Sequence, residues 1–202
     1  MKKKFYIIFL GLFAFIYYSG LYLYNLQDSI ANKVIRFHVI ANSDSNFDQA
    51  LKLKVRDKTV EYLTPLLENS KNIDESRDII RRNIYNIENI ATETLSTYSN
   101  YTANVELTDS KFPTKTYGNY SFPAGNYEAL KITIGEGTGQ NWWCVMFPPL
   151  CFTDSSIEFS DNSIETLSEN LSDAELELIS NYNKPNVQFK FKFLEWVNNI
   201  SK

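Results

Sequence analysis

The sequence has little of several things that would mark a specialised class of protein. Two cysteines and seven glycines in 202 residues exclude a disulfide-dense scaffold and a collagen-like repeat. There is no basic excess: the net charge is −4 and the pI about 5.1, which argues against binding nucleic acid through bulk charge. A mean hydropathy of −0.30 and one long apolar run exclude a multi-helix membrane protein. The 44% of hydrophobic residues instead predict one folded domain.

The one long apolar run lies at the start of the chain. Residues 5–24 carry no charge and follow three lysines, Lys2–Lys4. A helix of this length spans a bilayer core of about 30 Å. Tyrosines crowd its far end, as in an aromatic belt, and the lysines favour the cytoplasmic side for its start. We therefore expect a signal or membrane anchor at 1–24, a polar tether at 25–33 and an exported domain at 34–202.

Cleavage of this run is not settled by its sequence. Ser19 or Gly20 could precede a cut, but Tyr17 or Tyr18 would then occupy the −3 position, where a small residue is needed. An uncleaved anchor is therefore favoured, and a cleaved signal peptide remains the alternative. Without the three lysines, 17 basic and 24 acidic residues remain, so the exported part has a net charge of −7. Such a domain is not built to adhere to anionic lipid by charge.

The periodicity of the exported part predicts its elements. Val34–Ala41 reads as a strand, followed by a helix with Phe47 and Leu51 on its apolar stripe and Lys52 on its outer face, and then by a second helix at Asp74–Thr97. Period-two alternation predicts later strands at 101–108, 117–122, 130–134, 142–147 and 187–193. This order implies an α+β domain with a mostly antiparallel sheet and an N-terminal helical pair.

Two serines carry the sequence pattern of a helix start. Ser45 is followed three residues later by Asp48, and Ser172 by Glu175. A serine with an acid at this spacing resembles a capping box, in which the two side chains bond reciprocally to backbone N–H groups. We therefore expect both serines to cap helices.

The two cysteines allow two interpretations. Cys144 and Cys151 enclose a Pro-Pro turn, and in an exported chain they could form one disulfide. The alternative is two buried thiols that behave as small hydrophobes. A zinc site that combines them with His38 has no recognised ligand spacing.

Residues that could support catalysis form no recognised motif. His38 is the sole histidine, so a nucleophilic triad would need it, with Ser43 or Ser45 as the hydroxyl. A structural strand histidine is the simpler interpretation. Asp44 and Glu136 could form a glycosidase carboxylate pair with a tryptophan as sugar platform, although nothing in the sequence fixes their separation. The glycines at 135, 137 and 139 lack the end of a phosphate-binding loop and predict a tight connection.

Two blocks of sequence are distinctive. The first runs through VIRFHVIANSDS from Val34 and on to Asp57. The second runs from FPAG at Phe122 to NWWCVMFPPLCF, which ends at Phe152. Together they resemble the stage II sporulation protein R family of endospore-forming bacteria. The resemblance covers about Val34–Phe152, and its tryptophan-cysteine-proline block is highly specific.

The resemblance implies a signalling protein and not an enzyme, with no cofactor, metal, nucleic acid or small-molecule substrate. Members of the family are exported from the forespore into the space between forespore and mother cell. There they activate a membrane-embedded aspartic protease of the mother cell, which cleaves pro-sigma-E. The alternatives are a cell-wall-active hydrolase in the septal space, based on Asp44, Glu136 or His38, and a passive structural protein of the septum.

The family supplies no catalytic residues, so its motif positions are carried over as candidates for partner binding. If the segment is extended, Trp142 and Trp143 point to opposite faces, so one of them is expected in the core. The partner-binding candidates are Arg36, His38, Asn42, Asp44, Asp48, Glu136, Trp142 and Trp143.

Overall fold

The computed structural model describes residues 2–150, 161–180, 192–196 and 198–199. The elements follow as α1 (Lys2–Ala31), β1 (Ile35–Ile40), α2 (Asn46–Leu67), α3 (Ile73–Ser96), β2 (Ala103–Phe112), β3 (Lys115–Tyr117), β4 (Tyr120–Phe122), β5 (Gly125–Ile134), β6 (Asn141–Phe147), α4 (Asp161–Asn170) and α5 (Asp173–Ser180). This mixture of helices and strands behind an apolar helix confirms the predicted α+β class.

The described strands form a four-stranded sheet in the order β2-β5-β1-β6 and a separate hairpin, β3-β4. β1 runs parallel to β5, while the β1–β6, β2–β5 and β3–β4 pairs are antiparallel. The expectation of a mostly antiparallel sheet is therefore confirmed. Because β1 and β5 are parallel, the loops that follow them leave the same edge of the sheet.

The two faces of the sheet bury different sets of side chains. One face carries Phe37, Val39 and Ile132, and it packs against the aliphatic stripes of α2 and α3. The other carries Phe112 and Tyr127, and it packs against the end of α1, the β3-β4 hairpin, α4 and α5. The alternation along β1 puts Phe37 and Arg36 on opposite faces, as period two requires.

Several local expectations are corrected. Residues 117–122 do not form one strand, because the chain reverses at Gly118 with φ +52° and makes the β3-β4 hairpin. Of the strand expected at 187–193, residues 187–191 lie outside the described residues and 192–193 are helical. The helix α1 continues past Tyr24 to Ala31, so most of the segment expected to be a tether is helical.

The last turns of α1 belong to the domain core. Ile30 and Ala31 are buried among the side chains of the second face. A Cβ on Gly125, at the start of β5, would overlap the Gln27 side chain, so these two elements are in close contact. The apolar helix is therefore joined to the domain by packing as well as by the chain.

Candidate functional site

Two loops meet at the carboxyl end of the parallel pair β1-β5. We name this region the loop pole. It comprises residues 41–45 and 135–140 together with the first turns of α2, residues 46–52. The Gly139 N–H donates to the Ala41 carbonyl at 2.9 Å, and both the N–H and the hydroxyl of Thr138 donate to the Asn42 carbonyl, at 3.2 and 2.7 Å. The loops come from the two distinctive sequence blocks, so the fold unites segments that are about 90 residues apart.

Asn42 joins the loops through its side chain. Its Oδ1 accepts from the Glu136 N–H at 3.0 Å, and its Nδ2 donates to Asp48 Oδ2 at 2.9 Å. Gly135 has φ +54°, and a Cβ there would overlap the Asn42 amide. Glycine is needed at this position for both reasons.

Asp48 is the buried acceptor of the loop pole. Its Oδ2 also accepts from Ser43 Oγ at 2.6 Å, while its own N–H donates to Ser45 Oγ at 3.1 Å. Hydrogen bonds from Ser43 and then Asn42 hold the pKa of Asp48 below its ordinary value. Ser45 therefore caps α2 as predicted, but the carboxylate bonds to the loop and not back to the Ser45 N–H.

Lys52 extends this network. Its Nζ donates to Gln49 Oε1 at 2.6 Å and to the Gln140 carbonyl at 3.1 Å. The expectation that Lys52 lies on the outer face of the helix is wrong, because the β5-β6 loop covers it. Burial lowers its pKa, and Arg56 adds to the effect.

Asp44, Phe47 and Glu136 are among the exposed side chains of the loop pole. Asp44 accepts from the Gln140 N–H at 2.7 Å, and Glu136 stands on the facing loop. Phe47 is 51% exposed, so the expectation that it lies on the buried stripe is wrong. α2 begins at Asn46, which places Phe47 in the first turn, and Leu51 is the first buried aliphatic residue of the helix.

Arg36 lies fully buried on the second face of the sheet. Its Nε donates to the Cys144 carbonyl at 2.9 Å and its Nη2 to the Tyr117 hydroxyl at 3.0 Å. Its Cζ lies 4.4 Å from the centroid of the Phe112 ring and 4.9 Å from that of Tyr127. These cation–π contacts and hydrogen bonds replace part of the water that the guanidinium loses. This geometry favours a structural role over direct contact with a partner.

His38 lies beside Arg36 on the same face. Its Nε2 is 2.8 Å from Asn141 Oδ1, and its ring stacks on Trp143 with centroids 5.9 Å apart. Burial is the main reason that the pKa of His38 is lowered, and Lys131 and Arg36 lower it further. Its bonds match those of the structural strand histidine that the sequence favoured.

Trp142 and Trp143 point to opposite faces, as the pattern predicts for a strand. The Trp142 ring packs against Phe37 with centroids 5.6 Å apart and carries the Arg56 guanidinium at 5.1 Å. The Trp143 ring carries Lys115 Nζ at 4.2 Å. Both indoles are half-buried, so each joins the core on its own face.

Comparison with known proteins assigns the family. The model of the stage II sporulation protein R family matches residues 31–157. The chain belongs to this family. Stage II sporulation protein R of Bacillus subtilis (strain 168) is 45% identical over 128 residues, which are 63% of this chain and 57% of that protein. The chain thus spans somewhat more than half the length of this relative. No solved structure matches it.

Membership of this family supports a role in sporulation. The matched range includes the whole loop pole, the Arg36 surroundings, Trp142 and Trp143. It begins at the end of α1, so the apolar helix lies outside the match. That helix, Tyr6–Ala31 by length and composition, could serve as a signal sequence or as a membrane span.

The groups considered for catalysis are engaged elsewhere. His38 bonds to Asn141, whereas Ser43 and Ser45 bond to Asp48, so these residues are not arranged as a triad. In the described ranges, no cluster of three or more histidine, cysteine, aspartate or glutamate side chains could hold a metal ion. Cys144 is buried and disulfide-bonded. Cys151, its expected partner, lies outside the described residues, so this pairing stays a prediction.

Sequence reasoning missed several residues of these regions. It did not identify Lys52 or Phe47 at the loop pole, nor Phe112, Tyr117 and Tyr127 around Arg36. The three rings come from β2, β3 and β5, and no local pattern links them to a charge on β1. A signal did exist for Phe47, because a residue two places after an N-cap serine lies in the first helical turn.

Proposed function

We propose that this chain is a sporulation signal exported from the forespore, which activates the mother-cell membrane aspartic protease that processes pro-sigma-E. The family match over residues 31–157 carries the proposal. The chain acts by binding and not by catalysis. Its engaged histidine and serines and its exposed apolar side chain at the loop pole support that role.

The N-terminal helix supports the export step. Its lysines precede an uncharged run that is long enough to cross a bilayer, and the domain follows directly. The domain therefore lies outside the cytoplasm of the cell that makes it, where a protease in a facing membrane is within reach. Whether the helix is retained or cut, the same domain is presented.

We assign the receptor contact to the loop pole. α1 packs at the amino ends of β1 and β5, whereas the loop pole lies at their carboxyl ends. β1 has six residues, so the two regions are separated by about 20 Å of strand. Asp44, Phe47 and Glu136 thus lie at the end of the domain away from α1, and aromatic residues, phenylalanine among them, are enriched at protein–protein interfaces.

Co-expression in a host that does not sporulate tests this function. The full chain, the protease and pro-sigma-E are produced together, and processing is followed by immunoblot. We expect cleaved sigma-E only when the chain is present and exported. Absence of cleavage despite confirmed export would overturn the proposal.

A pair of exposed aromatic residues tests the assigned surface. Phe47→Ser should strongly reduce processing, because it removes the apolar centre of the contact. Tyr85→Ser is the matched control, since Tyr85 is 72% exposed near the middle of α3, outside the loop pole, and its replacement should leave processing unchanged. Equal processing of pro-sigma-E by both variants would show that the receptor contact does not involve Phe47. Thermal unfolding of each purified domain confirms that neither change acts through stability.

The alternative of a wall hydrolase is tested on the same proteins. A hydrolase based on Asp44 and Glu136 would release soluble fragments from purified peptidoglycan, and Glu136→Gln would abolish that release. We expect no release by the wild-type domain. Release that depends on Glu136 would favour the enzyme over the signal.

A further inference from the structure

The exposure of the α1 side chains indicates where along the helix contact with lipid would end and contact with the domain begins. Tyr22 and Tyr24 are exposed, whereas Gln27, Ile30 and Ala31 are buried in the domain. A helical segment buried in protein is not facing lipid. If α1 crosses a membrane, its lipid-facing part therefore ends between Tyr24 and Gln27, and the outer surface of the bilayer lies at this level.

Phe193 contacts α1 on the membrane side of this boundary. One edge of its ring lies 3.4 Å from the position that a Cβ on Gly20 would occupy. Gly20 precedes Tyr24 by about one turn, or about 6 Å along the helix axis. A ring that touches Gly20 must then lie at the depth of the outer interface, among lipid headgroups and the first acyl carbons.

Trp196 lies next to Phe193 and is 60% exposed. Residues 192–196 are helical, and the two rings are 6.1 Å apart between centroids. Leu194, between them in sequence, is buried and holds this turn to the domain. A large exposed indole is unfavourable in water, whereas tryptophan is enriched at membrane–water interfaces.

We propose that Phe193 and Trp196 form a second membrane contact, in which their rings lie in the outer interface of the bilayer that α1 crosses. We name this pair the aromatic turn. Its occupant is the lipid bilayer, because Phe193 contacts α1 at Gly20, in the stretch of the helix that also carries the exposed Tyr22 and Tyr24. The contact depends on aromatic rings and not on basic charge, which suits an acidic domain. Two contacts restrict rotation of the domain about α1 and fix the direction of the loop pole.

Quenching of tryptophan fluorescence by brominated lipid tests this contact. The full chain is reconstituted into vesicles of neutral phosphatidylcholine brominated at a shallow or a deep acyl position, and insertion of α1 is verified by alkaline extraction. We expect shallow bromines to quench more than deep ones. Trp196→Phe should remove most of this quenching, while Trp142→Phe should leave it in place, because Trp142 packs in the core against Phe37.

Two glycines of α1 provide a matched pair of variants. Gly20→Leu should displace Phe193 and reduce quenching of Trp196, whereas Gly11→Leu should not, since a Cβ on Gly11 meets nothing within 4 Å. Equal quenching of the wild type and Trp196→Phe overturns the proposal, as does failure of α1 to insert. Because the vesicles contain lipid and no protein other than this chain, a protein partner cannot be the source of the quenching. The readout is independent of sigma-E processing, so either proposal can fail alone.

Discussion

Two buried carboxylates at opposite ends of the domain follow the same sequence pattern and have different functions. Asp48, 3% exposed, stands three residues after Ser45, and Glu175, 1% exposed, stands three residues after Ser172. Asp48 bonds to Ser43 and Asn42 and organises the loop pole. Glu175 returns to its own cap, accepting from the Ser172 N–H at 2.6 Å, and also reaches α1.

Glu175 joins α5 to the end of the apolar helix. It accepts from Ser29 Oγ at 2.5 Å and from Lys33 Nζ at 2.6 Å. Burial would raise the pKa of Glu175, but the hydrogen bonds from Lys33, Ser29 and Ser172 outweigh it and lower that pKa. The shorter side chain of Asp48 bonds to the loop beside it. The longer side chain of Glu175 bonds both to Ser172 at its own helix start and to Lys33, more than 140 residues away.

The largest effect is expected at the loop pole. Asp48→Ala should lower the free energy of unfolding by about 3 kcal/mol, because it leaves the partly buried donors of Asn42 and Ser43 without their charged acceptor. Urea unfolding of the exported domain measures this loss. Asp57→Ala, an exposed aspartate on the same helix, should stay close to the wild type. A small effect at Asp48 would show that the two loops are held mainly by their backbone bonds.

A smaller effect is expected at the membrane-side end. Glu175→Gln keeps the shape but removes the charge that Lys33 and Ser29 bind, so we expect a loss of about 2 kcal/mol. Hydrogen exchange should accelerate in residues 26–31 and remain slow at the loop pole. Asp173→Asn, an exposed acid at the start of α5, is the control. Faster exchange at both ends would contradict the separation of the two regions.

Lys52→Met should cost about 1 kcal/mol, because it keeps the apolar stem and loses the bonds to Gln49 and Gln140. Chemical denaturation checks the value. Lys58→Met changes an exposed lysine of the same helix and should not be measurable. If both variants had the same free energy of unfolding, the bonds that Lys52 makes beneath the β5-β6 loop would not contribute to stability.

The smallest effect concerns pH and lies outside both carboxylate regions. Since burial lowers the pKa of His38 from 6.5, the folded state binds this proton less readily than the unfolded state. Stability is therefore complete above 6.5 and falls as the pH decreases through that value. His38→Gln should flatten this slope between about pH 5 and 7, because histidine titrates in that range and the chain has one. If the slope of stability against pH is the same in His38→Gln, the pH dependence comes from other titratable groups.

Much of the fold could be predicted from periodicity. An element that buries one face shows apolar residues at a period of 2 in a strand or 3.6 in a helix. This pattern identified the strand of Phe37, the two helices after it and the strand that begins after Tyr101. The hairpin at Gly118 was missed, since its two strands have three residues each and show no alternation. The sequence named Asn42, Asp44, Asp48 and Glu136 as partner-binding candidates, which stays a prediction, but it did not indicate that they share one pole.

The sequence by itself determined the apolar helix, the α+β class, the Ser45 cap and the family. Each of these depends on local spacing or on contiguous motifs. Only the tertiary structure decided which partners Asp48 and Glu175 have, that Arg36 is enclosed by rings, and that Phe193 touches Gly20. Those contacts join residues from distant elements, and their geometry is set by the sheet order and by the parallel pairing of β1 with β5.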